Sequence, residues 1–285
     1  MSEKDTGTST CTSTNLNKSL KRAVGGGLSG AGAMVMQVSS LMWLRTTMNY
    51  QYRYGTTTKD AMKHLYKEGG VRRFYRGYLP ALTIGPMARF GDTAANTYVM
   101  DAFANKNVPT SVSTVVGSAA AASWRVFLMP LDALKTSLQV EGKNGIALLR
   151  NKATREGGKV LYHGSMASMS ATFVGHYPWY LTFNVLDNKL PKYNETYKNL
   201  LRSAFIGFNA SLISDTVSNS LRVIKTTKQT FPGSISYVDT VKHVIKEDNI
   251  SGLFGRGLKT RIMTNALQGM LFTVCWTLLK DNFKI

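Results

Sequence analysis

The sequence predicts an all-α membrane protein: six transmembrane helices in a threefold pseudo-symmetric bundle, with three short helices on its inner side. Three observations predict it. The chain repeats itself about every 90 residues. Each repeat holds two weakly charged runs of about 20 residues, enough to cross a bilayer as a helix. The bases gather between those runs. Segments 45–76, 132–163 and 222–261 hold 22 Lys/Arg against 8 Asp/Glu, whereas 98–113 and 187–202 hold 5 against 3. An excess of Lys and Arg marks the inner side, and an even number of spans puts both termini on the other face.

The repeat is read from two marks. LRTTMN (44–49), LKTSLQ (134–139) and IKTTKQ (224–229) superpose at a shift of 90. KEGGVRRFYRG (67–77), REGGKVLYHG (155–164) and KEDNISGLFGRG (246–257) follow them. These marks divide the chain into a polar Ser/Thr-rich tail (1–20) and units 21–104, 105–193 and 194–285. The tail lacks the apolar core of a secretory signal and the Arg-rich character of a transit peptide, and is expected to be disordered.

Each unit opens with an apolar run: 23–44, 111–131 broken by Arg125, and 203–221. Small residues spaced four apart, Gly27/Ala31, Gly117/Ala121 and Gly207/Ser211, predict close packing of these helices. A basic segment with a short amphipathic helix follows; in SYVDTVKHVIKE, Val238, Val241, Val244 and Ile245 share a face. The second runs are 78–103, 165–190 and 258–279. All six are polar for membrane spans, which accounts for a mean hydropathy of only −0.12. A bundle around a watery cavity tolerates polar inner faces. Pro130 falls inside the second unit's first run and predicts a kink.

A net charge of +19 calls for an anionic partner. The different-class alternative is a basic nucleic-acid-binding or scaffold protein, and against nucleic acid stands the placing of the bases in loops between apolar runs rather than along one groove. Cys11 and Cys275 form neither a disulfide framework nor a metal motif. With no phosphate loop, nucleophile elbow or metal cluster, neither enzyme chemistry nor a cofactor is expected.

The pattern resembles the mitochondrial carrier family over residues 20–283. That family's Pro-x-acid-x-x-base mark is complete in Pro130-Leu131-Asp132-Ala133-Leu134-Lys135. Its acid-Gly and aromatic-base-Gly marks match Glu68-Gly69 with Tyr75-Arg76-Gly77, and Glu156-Gly157 with His163-Gly164. The third copy reads Glu247-Asp248 and Gly255-Arg256-Gly257. The departures are Ser40, Met42 and Arg45 in the first copy and Ser220, Arg222 and Lys225 in the third. The resemblance implies a matrix gate of paired acids and bases. Here it would set Asp132 alone against Arg45, Lys135, Arg222 and Lys225, a weak gate with an electropositive floor. The family's outer-gate positions, Asn96, Phe183-Asn184 and Trp276-Thr277 with Lys280, lack acids.

The resemblance also implies an inner-membrane carrier working by alternating access, with its substrate held midway along the second helices. Counting from Gly77, Gly164 and Gly257 gives Ile84-Gly85, Ala171-Thr172 and Thr264-Asn265. Farther on come Arg89, His176 and Gly269, then Asp92, Trp179 and Phe272. On the first helices Val35, Arg125 and Asp215 correspond. Arg89 and Arg125 would hold carboxylate or phosphate oxygens, and His176 would donate a hydrogen bond or move a proton. Arg89 could instead pair with Asp92, Arg125 with Asp215, and Arg261 could be structural. The expected solute is a di- or tricarboxylate, keto acid or nucleotide; HYPWY and RFGDTAAN are similar to a fungal tricarboxylate-carrier branch. An amino acid or other zwitterion is the alternative, and the RRRMMM stretch of ADP/ATP carriers is absent. A monomer bound to phospholipid, cardiolipin included, completes what the resemblance implies.

Overall fold

The computed structural model describes residues 35–104, 110–193 and 195–283. Among them the chain is helical, without a strand. Helix α1 covers 35–54, and α2 is Thr58–Phe74. There follow α3 (Tyr78–Ala104), α4 (Thr110–Phe127), α5 (Met129–Glu141) and α6 (Asn144–Glu156). A 3-10 turn, Gly158–Tyr162, leads to α7 (Ser165–Lys189), α8 (Thr196–Thr230), α9 (Tyr237–Gly255) and α10 (Leu258–Phe283).

Proline decides which first helix breaks. Pro130 stands in the first turn of α5, and the helix is interrupted at Leu128, dividing α4 from α5. Ser40 and Ser220 keep their backbone N–H groups, and α1 and α8 run through those points unbroken. The inner helices also follow from local chemistry. Thr57 caps α2 and Ser236 caps α9, each accepting the amide of an Asp three residues on (Asp60, Asp239) at 3.2 and 3.0 Å. Each inner helix then breaks at a left-handed residue: Gly70, Gly157 and Asn249, with φ of 59°, 79° and 58°. Asn249 combines its positive φ with ψ of −167°, a region that belongs almost to glycine alone.

The long helices close a ring, and each seam has a named contact. Val38 and Met42 of α1 pack on Ala81 of α3. Trp124 of α4 lies over Gly91 of α3 and donates its indole N–H to Met87 O at 2.9 Å. His176 of α7 meets Ser118 of α4, and Ser214 of α8 donates to Gly175 O of α7 at 2.7 Å. Asp215 of α8 reaches Arg261 of α10, and Gln268 of α10 returns to Arg45 of α1. The expected small-residue seam holds in part: Gly117 and Ala121 are buried, whereas a Cβ on Gly207 would meet open space, and further close approaches run through Gly91 and Gly175. Gly27 and Ala31 lie outside the described residues.

The glycines that open the second helices seat each unit on the next. Gly77, Gly164 and Gly257 have φ of 81°, 84° and 65°. A Cβ on Gly77 would stand 3.0 Å from Lys135 O, and one on Gly164 would stand 3.1 Å from Lys225 O. On Gly257 it would stand 2.8 Å from the Tyr52 ring and 3.2 Å from Met48 O. Unit one thus rests on two, two on three, and three on one. Gly257→Ala is expected to cost about 2–3 kcal/mol, from left-handed strain plus overpacking. Gly207→Ala, helical with open space around it, should stabilise by up to about 1 kcal/mol. Thermal unfolding in detergent compares the two.

Among the described residues no helix is long and apolar enough to cross a membrane. The physical reason lies in the sequence: Ser, Thr, Asn and Gly dilute every run, and ionisable residues such as Arg125, Asp215 and Arg261 interrupt them.

Candidate gate and substrate site

The floor of the ring is built on Asp132. Pro130 starts α5, so Asp132 falls in its first turn, where an acid complements the helix dipole. Its carboxylate is 11% exposed and accepts Lys135 Nζ at 2.6 Å and Lys225 Nζ at 2.5 Å. Gln229 Nε2 adds a third donor at 3.3 Å. The acid therefore takes two of the four expected bases, one from its own helix and one from α8.

The other two bases go elsewhere. Arg45 Nη2 donates to Gln268 Oε1 at 3.2 Å, a neutral partner on α10. Arg222 Nε donates to Ser218 Oγ at 3.3 Å, and its Nη2 stands 4.0 Å from Asp215 Oδ1. Asp215 is a second buried acid. It accepts Arg261 Nε at 2.7 Å and the Asn265 amide. Among the described contacts the expected gate bases thus gather on two acids, Asp132 and Asp215, and Arg45 also meets Gln268. A shift of 90 residues shows which positions correspond, but not how far each side chain reaches.

The midway positions are held in several ways. Ala171 is buried against the neighbouring helices, and the Thr172 and Thr264 hydroxyls donate within their own helices, to Ser168 O and Thr260 O at 3.0 and 2.6 Å. His176 Nδ1 is 2.9 Å from Ser118 Oγ, and its ring lies edge-on to Tyr180. Trp179 stacks on Phe183 with centroids 5.1 Å apart, an aromatic ladder along α7. Arg125 ends α4, where a cation complements the helix dipole. A Cβ on Gly269 would meet nothing within 4 Å. The side chains of Arg89, Asp92, Phe272, Asn96, Trp276, Thr277 and Lys280 lie outside the described residues.

The family model described as mitochondrial carrier protein matches residues 16–107, 106–194 and 197–285, one copy on each unit. The chain belongs to the mitochondrial carrier family. Members of that family are transporters rather than enzymes. The carrier is 32% identical to solute carrier family 25 member 44 of Homo sapiens over 125 residues, 42% of this chain and 39% of that one. It is 22% identical to mitochondrial thiamine pyrophosphate carrier 1 of Candida albicans over 178 residues, 58% of this chain and 59% of the relative. It is 24% identical to the calcium-dependent mitochondrial ATP-magnesium/phosphate carrier protein 2 of Arabidopsis thaliana over 277 residues, 87% and 54% of the two. These matches span 39–59% of the relatives' own length.

The chain also has a set of capping side chains that the repeat does not reveal. A buried cation from each unit caps the end of the next unit's first helix. Arg73 donates to Gln139 O and Val140 O at 2.8 and 2.7 Å and holds Glu68 at 2.7 Å. Lys152 donates to Gln229 O at 3.3 Å and Phe231 O at 2.7 Å. Arg256 donates to Arg53 O at 3.1 Å and is held by Glu247 and Asp248 at 2.9 and 2.8 Å. Each satisfies carbonyls that a helix end leaves without intrahelical partners. Arg73 and Arg256 both sit in the second mark, four and one residues before its closing glycine, and Lys152 lies outside it, so the three are out of register.

Lys152 alone among the three can lose its proton. Burial pulls its ammonium down to about 8 from 10.5, only partly offset by Glu156, while Lys228 and Arg53 add repulsion. Between those two values the unfolded chain holds a proton that the folded chain has released, so stability rises with pH across that window. The neutral amine still has two N–H groups for its two carbonyls. Lys152→Met removes this term. The difference in melting temperature between wild type and Lys152→Met should grow in favour of wild type from pH 8 to 10. A difference independent of pH would show that Lys152 titrates like an exposed lysine.

Proposed function

We propose that this carrier moves a small anionic solute across the mitochondrial inner membrane by alternating access. The observation that carries the reading is the floor itself. Among the described residues Lys135 and Lys225 gather on Asp132, and Arg222 and Arg261 gather on Asp215, so two bases meet each acid. Surplus cations in a watery cavity attract anions and repel cations. The six spans of this reading are α1, α3, α4 with α5, α7, α8 and α10, with both termini facing the intermembrane space. Exposed apolar stripes support bilayer contact: Phe173, Tyr177 and Leu181 on α7, and Leu201, Phe205 and Phe208 on α8, recur every three or four residues. Polar faces turned into the ring reconcile those stripes with weakly apolar helices. The protein acts as a monomer among phospholipids, cardiolipin included.

Within that class the solute is a di- or tricarboxylate or a phosphate-bearing anion. The second choice is favoured by relatives named for thiamine pyrophosphate and for ATP-magnesium/phosphate. Arg89 and Arg125 hold its oxygens, with Asp92, Ala171, Thr172, His176, Trp179, Thr264 and Asn265 around it. Uptake by liposomes containing the purified protein tests this. Carboxylates or phosphate-bearing anions should accumulate and organic cations should not. Arg125→Ala should lower uptake about tenfold or more, the loss of one charge-assisted contact. Uptake restricted to cations or neutral solutes would overturn the anion reading.

A further inference from the structure

The third copy of the gate mark has Arg222 where the second has Asp132. Seven residues before Arg222, two turns back along α8 and on the same face, stands Asp215. The step amounts to about 10 Å along the helix. Asp215 is buried, and the groups gathered on it come from both sides: Arg222 from its own helix, Arg261 and Asn265 from α10. Asp132 ties the other flank of α8, through Lys225, to α5. At the next seam, α10 to α1, Arg45 donates to Gln268 and Thr260 donates to Gln51. Every described carboxylate that closes the floor therefore grips α8.

Resting on the proposed carrier function, we propose that Asp215 is a displaced gate acid: a positioning residue that locks α8 to α10 and must release Arg261 for the long-loop face to open. It stands in for the acid missing at 222, one storey higher and on the opposite flank of its helix from the Lys225 tie. Opening on this face then separates α8 from α5 and from α10 together. Nothing in the seven-residue offset disturbs the helix, because α8 runs unbroken through both positions.

A single-cysteine protein tests it. Cys11 and Cys275 are replaced by serine, and Thr264, buried beside Asn265, becomes the reporter as Thr264→Cys. The full chain is expressed in mitochondria and probed with a membrane-impermeant maleimide, in mitoplasts and in inverted inner-membrane vesicles. Adding Asp215→Asn should speed labelling about tenfold in inverted vesicles, the population shift expected when one charge-assisted hydrogen bond no longer favours the closed state. Labelling in mitoplasts should not change, and Asp215→Glu should restore slow labelling. If Asp215→Asn labels no faster, or labels faster from both faces with a lowered melting temperature, Asp215 is a packing group and the lock is wrong. If carbonate extraction releases the protein from the membrane, the carrier reading fails first and takes the lock with it.

Discussion

Asp132→Ala is expected to destabilise the protein by about 3–5 kcal/mol, more than replacing any one of the bases around it. The reason is an asymmetry in the cluster. The carboxylate is 11% exposed and is shared by two ammonium groups that are about one-fifth exposed. Removing the acid strands Lys135 and Lys225 side by side and leaves the Gln229 amide without its acceptor. Removing either lysine leaves one matched pair. Thermal unfolding of Asp132→Ala, Lys135→Ala and Lys225→Ala separates the cases. If either lysine variant falls as far as Asp132→Ala, the pairs contribute singly and the acid is no hub. Because the pairs are largely shielded from solvent, added salt should change this ranking little. Asp132→Ala should also leave the floor unable to close, seen as rapid leak of any loaded anion from liposomes.

Arg73→Met should cost about 3 kcal/mol, and Arg73→Lys roughly half of that. The guanidinium uses its planar fork on two adjacent carbonyls of α5 while its third nitrogen holds Glu68. A lysine can satisfy some of these acceptors, but a single ammonium cannot present donors in that spread. Methionine preserves the packing volume and removes every donor, leaving Gln139 O and Val140 O buried at a helix end. Thermal unfolding gives the size of the effect. Proteolysis gives its place: cleavage should rise at the joint between units one and two and not at the joint between two and three, where Lys152 holds Phe231 O. Equal stability of Arg73→Lys and wild type would show that charge alone does the work.

The repeat, the helix runs and the break at Pro130 were legible because each depends on residues close in sequence. Proline, glycine and uncharged spacing act within a turn or two. The break of α9 at Asn249 was not foreseen, because no glycine stands there to mark the positive φ. The floor was legible only as a set of charges. Arg45, Lys135 and Lys225 share a register, yet one donates to a glutamine and two to the same aspartate, because partners depend on which side chain the neighbouring helix offers. Asp215 was visible as an acid within a weakly charged run, but its partners on α10 were not, since 46 and 50 residues separate it from Arg261 and Asn265. The capping cations were missed for a different reason. Arg73, Lys152 and Arg256 do one job from three unrelated positions, so comparison of the repeats hides them. A search for cations placed to reach helix C-termini across unit boundaries would have found them.

The head-to-tail seating of the three units makes the protein a closed linkage. Each joint combines a glycine that admits the next unit's backbone with a cation that grips its helix end. A unit that tilts must drag its successor at one joint and be dragged by its predecessor at the other, so motion started anywhere returns to its origin. Independent rocking of a single unit would have to break a joint. The low-cost movement is a concerted turn of all three, like the blades of an iris, and a stiffened joint between any two units should slow the whole cycle rather than a third of it.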